Sequence, residues 1–122
     1  MSERKFNLEE RLLDFSVIVI ETVEALPNNR VGNHIAGQLI KSGTSPYANH
    51  GEAQAAESQK DFIHKLRICL KELRETKRWL ELIEKAQLLK KRPKLNEVIQ
   101  ENEELIKIFV ASIKTVNKNR NN

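Results

Sequence analysis

Apolar residues recur at steps of three and four along most of this chain, the spacing of helices that each rest one face on a core. The longest such run is SQKDFIHKLRICLKELRETKRWLELIEK, Ser58 to Lys85. Within it Phe62, Leu66, Cys69, Leu73, Thr76, Leu80 and Ile83 follow steps of 4, 3, 4, 3, 4 and 3, the heptad seam of a long helix lying along other helices. Ile68, Trp79 and Leu82 add a lesser apolar flank. Two residues before each of the first six seam positions stand Lys60, His64, Arg67, Lys71, Arg74 and Arg78. Two residues turn a helix by about 200°, so this basic row faces away from the seam.

The remaining elements follow from caps and breakers. Asn7, with Glu10 three residues on, is a start signal, and Pro27-Asn28-Asn29 is a stop, so a first helix is expected over about 8–26. Leu8, Leu12, Phe15, Val19, Val23 and Leu26 make its stripe, yet Leu13, Val17, Ile18 and Ile20 lie outside that stripe. A helix that is apolar most of the way round needs a second burial partner, which makes these four residues the candidate interface between copies of the chain. A second helix is expected over about 30–57, with Val31, Ile35, Leu39 and Ser42 on one side. Ser42-Gly43-Thr44-Ser45-Pro46 interrupts it: Gly43 suits a helix end, Ser45 a new cap and Pro46 a first helical position. Length decides between a corner and a kink. The 28 residues from Ser58 to Lys85 span about 42 Å as a helix, whereas each half of the second helix reaches only about 18 Å. Two collinear halves match that length, so one helix kinked near Gly43–Pro46 is expected. After the interruption Ala48, Gly51, Ala53, Ala55 and Ala56 are small enough for close backbone approach.

Ser58 caps a third helix, about 59–86, with Asp61 in its positive first turn. The basic segment QLLKKRPK follows, and a fourth helix over about 95–116 carries Leu95, Val98, Ile99, Leu105, Ile106, Phe109, Ile113 and Val116. Residues 117–122 are expected to form a disordered tail. Four helices with short joints predict an all-α fold, an up-down-up-down antiparallel four-helix bundle in one domain spanning 1–122.

Composition supports this picture and adds a charge asymmetry. The chain has 122 residues, four glycines, three prolines and one cysteine, enough for a core without disulfides or metal. A lone Cys69 in the seam reads as a small buried apolar residue and suits the reducing cytoplasm. A basic-then-apolar leader and a long apolar run are both lacking, so neither secretion nor membrane spanning is expected. The net charge is +4, but residues 59–92 hold eleven Lys and Arg against five Asp and Glu, while residues 1–58 hold five against eight. The positive charge therefore belongs to the third helix and the loop after it, a hint of an anionic partner.

The basic row is the best functional candidate. Lys60, His64, Arg67, Lys71, Arg74 and Arg78, with Lys90, Lys91, Arg92 and Lys94 nearby, suit a phosphate backbone bound through counterion release. No aromatic residue is interleaved for base stacking, so such binding reads shape and charge rather than sequence. The competing account is a solvated face steadied by Lys71–Glu75 and Lys77–Glu81 pairs, each of little weight. No metal site is expected: Asp61-x-x-His64 is only half of a di-iron bundle motif, and His34 and His50 lack partners at ligand spacing. No catalytic residue and no cofactor are expected either. Cys69 has no adjacent histidine, Ser42, Thr44 and Ser45 read as capping groups, and no phosphate-cradling glycine loop exists. Asn49 and Glu52, one turn apart, read as polar anchors of the kink, and Trp79 as packing.

The assembled motifs are SGTS-x-x-AN from Ser42 to Asn49, EAQAAES from Glu52, KDFIHKL from Lys60 and LKELRETKRWLEL from Leu70. Together they resemble the four-helix-bundle proteins encoded in intervening sequences of 23S ribosomal RNA genes, over about residues 8–115. The chain departs from that pattern at Pro46, where the family more usually has an aliphatic residue, and at His50-Gly51. The resemblance implies an up-down-up-down bundle assembling as a ring-like homo-pentamer. It also implies kinship to the accessory proteins of diversity-generating retroelements, which bind nucleic acid and a reverse transcriptase. It offers no catalytic residues. Two readings stand side by side: a non-enzymatic homo-oligomeric accessory protein that binds nucleic acid, RNA before DNA, and a structural or protein-interaction module whose charge serves solubility.

Overall fold

The computed structural model describes residues 7–90 and 93–121. Four helices follow one another: α1, Leu8–Ala25; α2, Arg30–Gln54; α3, Gln59–Lys85; and α4, Pro93–Asn121. Three starts are set by side chains accepting backbone N–H bonds, which satisfies donors the helix itself leaves unpaired. Asn7 accepts from Glu10 at 3.0 Å, Asn29 from Gly32 at 2.8 Å and Ser58 from Asp61 at 3.0 Å. The first and third are the expected caps. Glu10 meets the Asn7 side-chain amide at 3.3 Å.

Cross-helix bonds fix the topology. Thr76 and Ser42 share a hydroxyl hydrogen bond of 2.9 Å, and Cys69 Sγ lies 3.5 Å from the Pro46 carbonyl. Lys65 reaches Glu52 at 2.7 Å, so α3 runs antiparallel to α2. Asn102 donates to the Leu73 carbonyl at 3.1 Å and Lys77 meets Glu103 at 3.2 Å, and farther along Phe62 and Leu66 share a cleft with Ser112 and Val116, so α4 runs antiparallel to α3. Arg11 grips Glu101 through two bonds of 3.0 and 2.7 Å, and Lys94 meets Glu21 at 2.6 Å, tying α4 to α1. The result is an all-α up-down-up-down bundle. Each helix packs against two neighbours, with α1 and α3 on one diagonal.

The α3 seam is buried as its spacing demands, with one shift: Ile63, not Phe62, is the first buried position, and Phe62 is half-buried. In α1 the buried line is Leu12, Phe15, Ser16, Val19 and Thr22, with Val23 only partly covered. Ser16 and Thr22 enter the core because each hydroxyl donates to a carbonyl one turn back, at 2.9 and 2.8 Å. In α4 the position between Val98 and Leu105 is taken by Asn102, 1% exposed, a buried amide satisfied by the Leu73 carbonyl. In α2 Val31, expected on the inner stripe, is 55% exposed.

α2 passes through Ser42–Pro46 as one helix, with Pro46 inside it. Pro46 cannot donate a backbone N–H. The helix is braced on either side of it: Thr44 donates to the Ile40 carbonyl at 2.6 Å, and the Asn49 amide to the Ser45 carbonyl at 3.1 Å and hydroxyl at 2.9 Å. Asn49 is thus the expected anchor, while Glu52 serves α3 instead. Gly43 does not end a helix. A Cβ there would lie 2.6 Å from Val19 Cγ1, so the glycine is what lets α1 and α2 approach. Gly51, expected among the close-approach residues, faces open space.

α3 ends where Gln87 takes φ 55°, with Gln87 N–H donating to the Glu84 carbonyl at 3.2 Å and Leu88 N–H to the Ile83 carbonyl at 3.1 Å. α4 begins two residues earlier than expected and continues to Asn121 instead of ending at Val116 in a disordered tail.

The Gly43 contact is testable. Gly43→Ala is expected to destabilise the bundle by about 1–3 kcal/mol through overpacking, and Val19→Ala in the same chain to recover part of that loss. Urea unfolding of the parent and the two variants measures it; a Gly43→Ala protein as stable as the parent would remove the close approach.

Candidate nucleic-acid interface

The basic row forms one line on the outer face of α3. Lys60, His64, Arg67, Lys71, Arg74 and Arg78 are all exposed. Eighteen residues separate the first from the last, so the row runs about 27 Å with a basic side chain every 5 Å or so. Among the described residues none of the six takes part in an ion pair, whereas Arg11, Lys65, Lys77, Lys94 and Lys107 each meet a carboxylate.

The helical pairs that could have neutralised the row are absent. Lys77 turns to Glu103 on α4 instead of Glu81. Glu75 accepts from Trp79 Nε1 at 3.3 Å, which leaves Lys71 without it. Trp79 in turn is half-buried and edge-on to His34, with ring centroids 6.1 Å apart. Glu75 and Glu81 still flank Arg74 and Arg78 around a shallow concavity of about 610 Å³, so the Lys60–Lys71 half is the more purely cationic.

The loop cations do not extend the row as one group. Lys94 is held against α1 by Glu21, on the far side of the bundle from α3. Lys90 is exposed beside Pro27 and Leu88, at the joint between α1 and α2. Lys91 and Arg92 lie outside the described residues. The candidate interface residues on α1 divide similarly. Leu13, Val17 and Ile20 are 44%, 47% and 45% exposed and share one face, whereas Ile18 packs against the core. Because α1 and α3 occupy diagonal corners, the open apolar stripe and the basic row point in opposite directions.

Other chemistry has little footing. Cys69 is buried, and burial pushes its thiol up to about 12, opposite to what a nucleophile needs. Among the described residues no three His, Cys, Asp or Glu side chains converge on a possible metal position. No helix among them is long and apolar enough to cross a membrane.

His50 is the residue that spacing did not flag. It is 7% exposed near the end of α2 and edge-on to Phe109, with centroids 6.3 Å apart. Its proximity to Phe109 depends on α4 folding back, a relation no local pattern contains.

An α-helical up-down-up-down bundle with a cationic outer edge and an open apolar stripe is the class these features define. The 23S rRNA-intervening sequence protein family matches residues 4–111, and the chain belongs to it. It is similar to the crystal structure of a protein of unknown function from the S23 ribosomal protein family of Bacteroides thetaiotaomicron. The two are 34% identical with a TM-score of 0.80, over 87% of this chain and 97% of that one. Among curated proteins none matches.

Burial pulls the His50 pKa below its usual 6.5, outweighing the nearby Glu9 carboxylate, which pulls the other way. The unfolded chain then binds the proton more readily than the folded one. Stability is full above pH 6.5 and falls as pH drops from there toward the lower folded value, no faster than the one-proton limit of about 1.4 kcal/mol per pH unit. Urea midpoints at several pH values between 5.5 and 7.5 should show the slope in the parent and a shallower one in His50→Gln; equal slopes would contradict it.

Proposed function

We propose that the protein is a non-enzymatic, self-associating accessory protein of the cytoplasm that binds nucleic acid, RNA before DNA, along the outer edge of α3. The observation that carries this reading is the row of five exposed Lys and Arg with His64 along one helix edge, none of them in an ion pair among the described residues, whereas Arg11, Lys65, Lys77, Lys94 and Lys107 are paired. Leaving such charges unneutralised costs self-repulsion, and a polyanion removes that cost while releasing its own counterions. Lys60, His64, Arg67 and Lys71 form the stronger half of the edge. Lys90 lies apart from it, beside Pro27 at the α1–α2 joint, and Lys94 is excluded by its pairing with Glu21.

Self-association is assigned to the α1 stripe Leu13, Val17 and Ile20, whose exposure suits a second copy of the chain. The resemblance of the motifs supports an assembly of five copies in a ring. With the stripe turned inward to its copies, every basic row faces outward, so a weak contact per subunit is multiplied by avidity. The exposed stripe also favours a second reading, in which the assembly is an end in itself or a platform for another protein.

Two measurements separate these readings. Affinity for a generic single-stranded RNA should fall with salt, with a log–log slope of about −3 to −4 for five or six phosphate contacts. Lys71→Glu with Arg74→Glu should weaken binding at least about tenfold and flatten the slope by about 2. No binding at low salt, or binding indifferent to that double variant, would leave only the second reading. For the assembly, light scattering at tens of micromolar should report an oligomer that Val17→Glu disperses; a strictly monomeric parent would remove the α1 interface.

A further inference from the structure

Among the described residues, the large apolar side chains left exposed are Leu13, Val17, Ile20, Val31, Tyr47 and Leu82. The first three form the α1 stripe. Val31 and Leu82 belong to a second patch, on the edge where α2 meets α3. There the His34 and Trp79 rings meet edge-on at 6.1 Å. Val31 stands one turn before His34 on α2, and Leu82 one turn after Trp79 on α3. Because the two helices run antiparallel, both residues flank the ring pair at the same level, 55% and 44% exposed. An open apolar patch on this scale marks a contact site.

The two patches carry opposite charge. α1 has Glu9, Glu10, Asp14, Glu21 and Glu24 against one basic residue, Arg11, which Glu101 already holds. Asp14 and Glu24 are exposed and, among the described residues, make no ion pair. Beside the second patch, Arg30 adjoins Val31 and Arg78 lies one turn before Leu82; both are exposed and equally unpaired. Of the nearby acids, Glu75 is bonded to the Trp79 indole, and Glu81 lies on the Lys77 side of α3, toward α4. These charges rule against pairing stripe with stripe. A two-fold contact centred on Val17 sets Glu10 of each copy against Glu24 of the other, and a parallel one sets every acid against itself. Like charges brought together at an interface repel. Such a contact would also leave the second patch bare.

Given the self-association assigned to α1, on which this rests, we infer that the α1 stripe of one copy docks on the α2–α3 edge of the next. Leu13, Val17 and Ile20 meet Val31, Trp79 and Leu82, and the α1 acids face Arg30 and Arg78. Apolar surface is covered on both sides, and each unpaired charge gains an opposite one. Trp and Arg are also the side chains that most often dominate a protein contact. The stripe and the edge occupy different faces of one bundle, so a copy uses both at once. Association is therefore head to tail, and it closes into a ring where the turn between contacts returns to the first copy. Arg78, the last residue of the basic row, enters the contact, while Lys60 to Lys71 stay open to a polyanion.

Two single variants and their mixture test the pairing. Val17→Glu spoils the stripe and leaves the edge intact; Leu82→Glu does the reverse. Both positions are exposed, so helix content and melting temperature should stay near the parent values. Light scattering should find each variant dispersed, its assembly weakened at least about tenfold. An equimolar mixture should instead associate into one-to-one dimers and stop there, because each variant keeps the one surface the other lacks. A Leu82→Glu protein that assembles like the parent overturns the docking on α2–α3 and leaves the α1 interface standing. A mixture that stays monomeric at about ten times the concentration at which the parent assembles overturns it as well. A monomeric parent removes the self-association reading itself, and this docking with it.

Discussion

Everything in this bundle rests on the burial of one face of α3 between α2 and α4. Ile63, Leu66, Cys69, Leu73, Thr76, Leu80 and Ile83 are 3% exposed or less, and each large apolar member contributes about 1.5–3 kcal/mol by leaving water. No surface ion pair among the described residues approaches that sum. The seam also fixes register, because two buried polar groups packed against it find their partners in this alignment. Ser42 must lie opposite Thr76, whose own hydroxyl is already held by the Glu72 carbonyl, and Asn102 must reach the Leu73 carbonyl. A slip of one helix along another would strand these groups in the core, at a cost of about 1–3 kcal/mol each.

Once the seam is set, the outer charges sort themselves by reach. Lys65, Lys77 and Arg11 stand beside interhelical grooves and find carboxylates on the neighbouring helix. The basic row stands at the corner of the bundle, farthest from any neighbour. Its cations lack interhelical partners for a geometric reason, not because acidic residues are scarce. Glu75, the within-helix candidate, is drawn to the Trp79 indole, which needs an acceptor at the half-buried α2–α3 edge. The same diagonal logic leaves Leu13, Val17 and Ile20 bare on α1: the covered faces are those toward α2 and α4, and the corner has no neighbour.

The fold class, the four helices in order and both bounds of the first three to within three residues were legible because they depend on local periodicity and capping. Asn7 and Ser58 announce their helices within four residues. The basic row was equally legible, since a fixed rotation of about 100° per residue places it opposite the seam. What was misread depended on partners distant in the chain. Gly43 has the look of a helix end, but its role is set by Val19, 24 residues away. Lys94 has the look of a loop cation in the basic cluster, but Glu21 claims it across the bundle. Asn102 sits in a heptad position that pattern reading assigns to apolar neighbours, and only the Leu73 carbonyl explains it.

The sequence by itself determined that this is a four-helix, all-α chain with an apolar edge and a cationic edge on the same long helix. Rotation and rise per residue are properties of the backbone, so which residues share a face needs no knowledge of the neighbours. Only the tertiary structure decided which cations stay unpaired, where two helices touch through a glycine, and that His50 meets Phe109 beside an open cleft. Those outcomes are set by distances between residues far apart in the chain, and such distances exist only once the helices have packed.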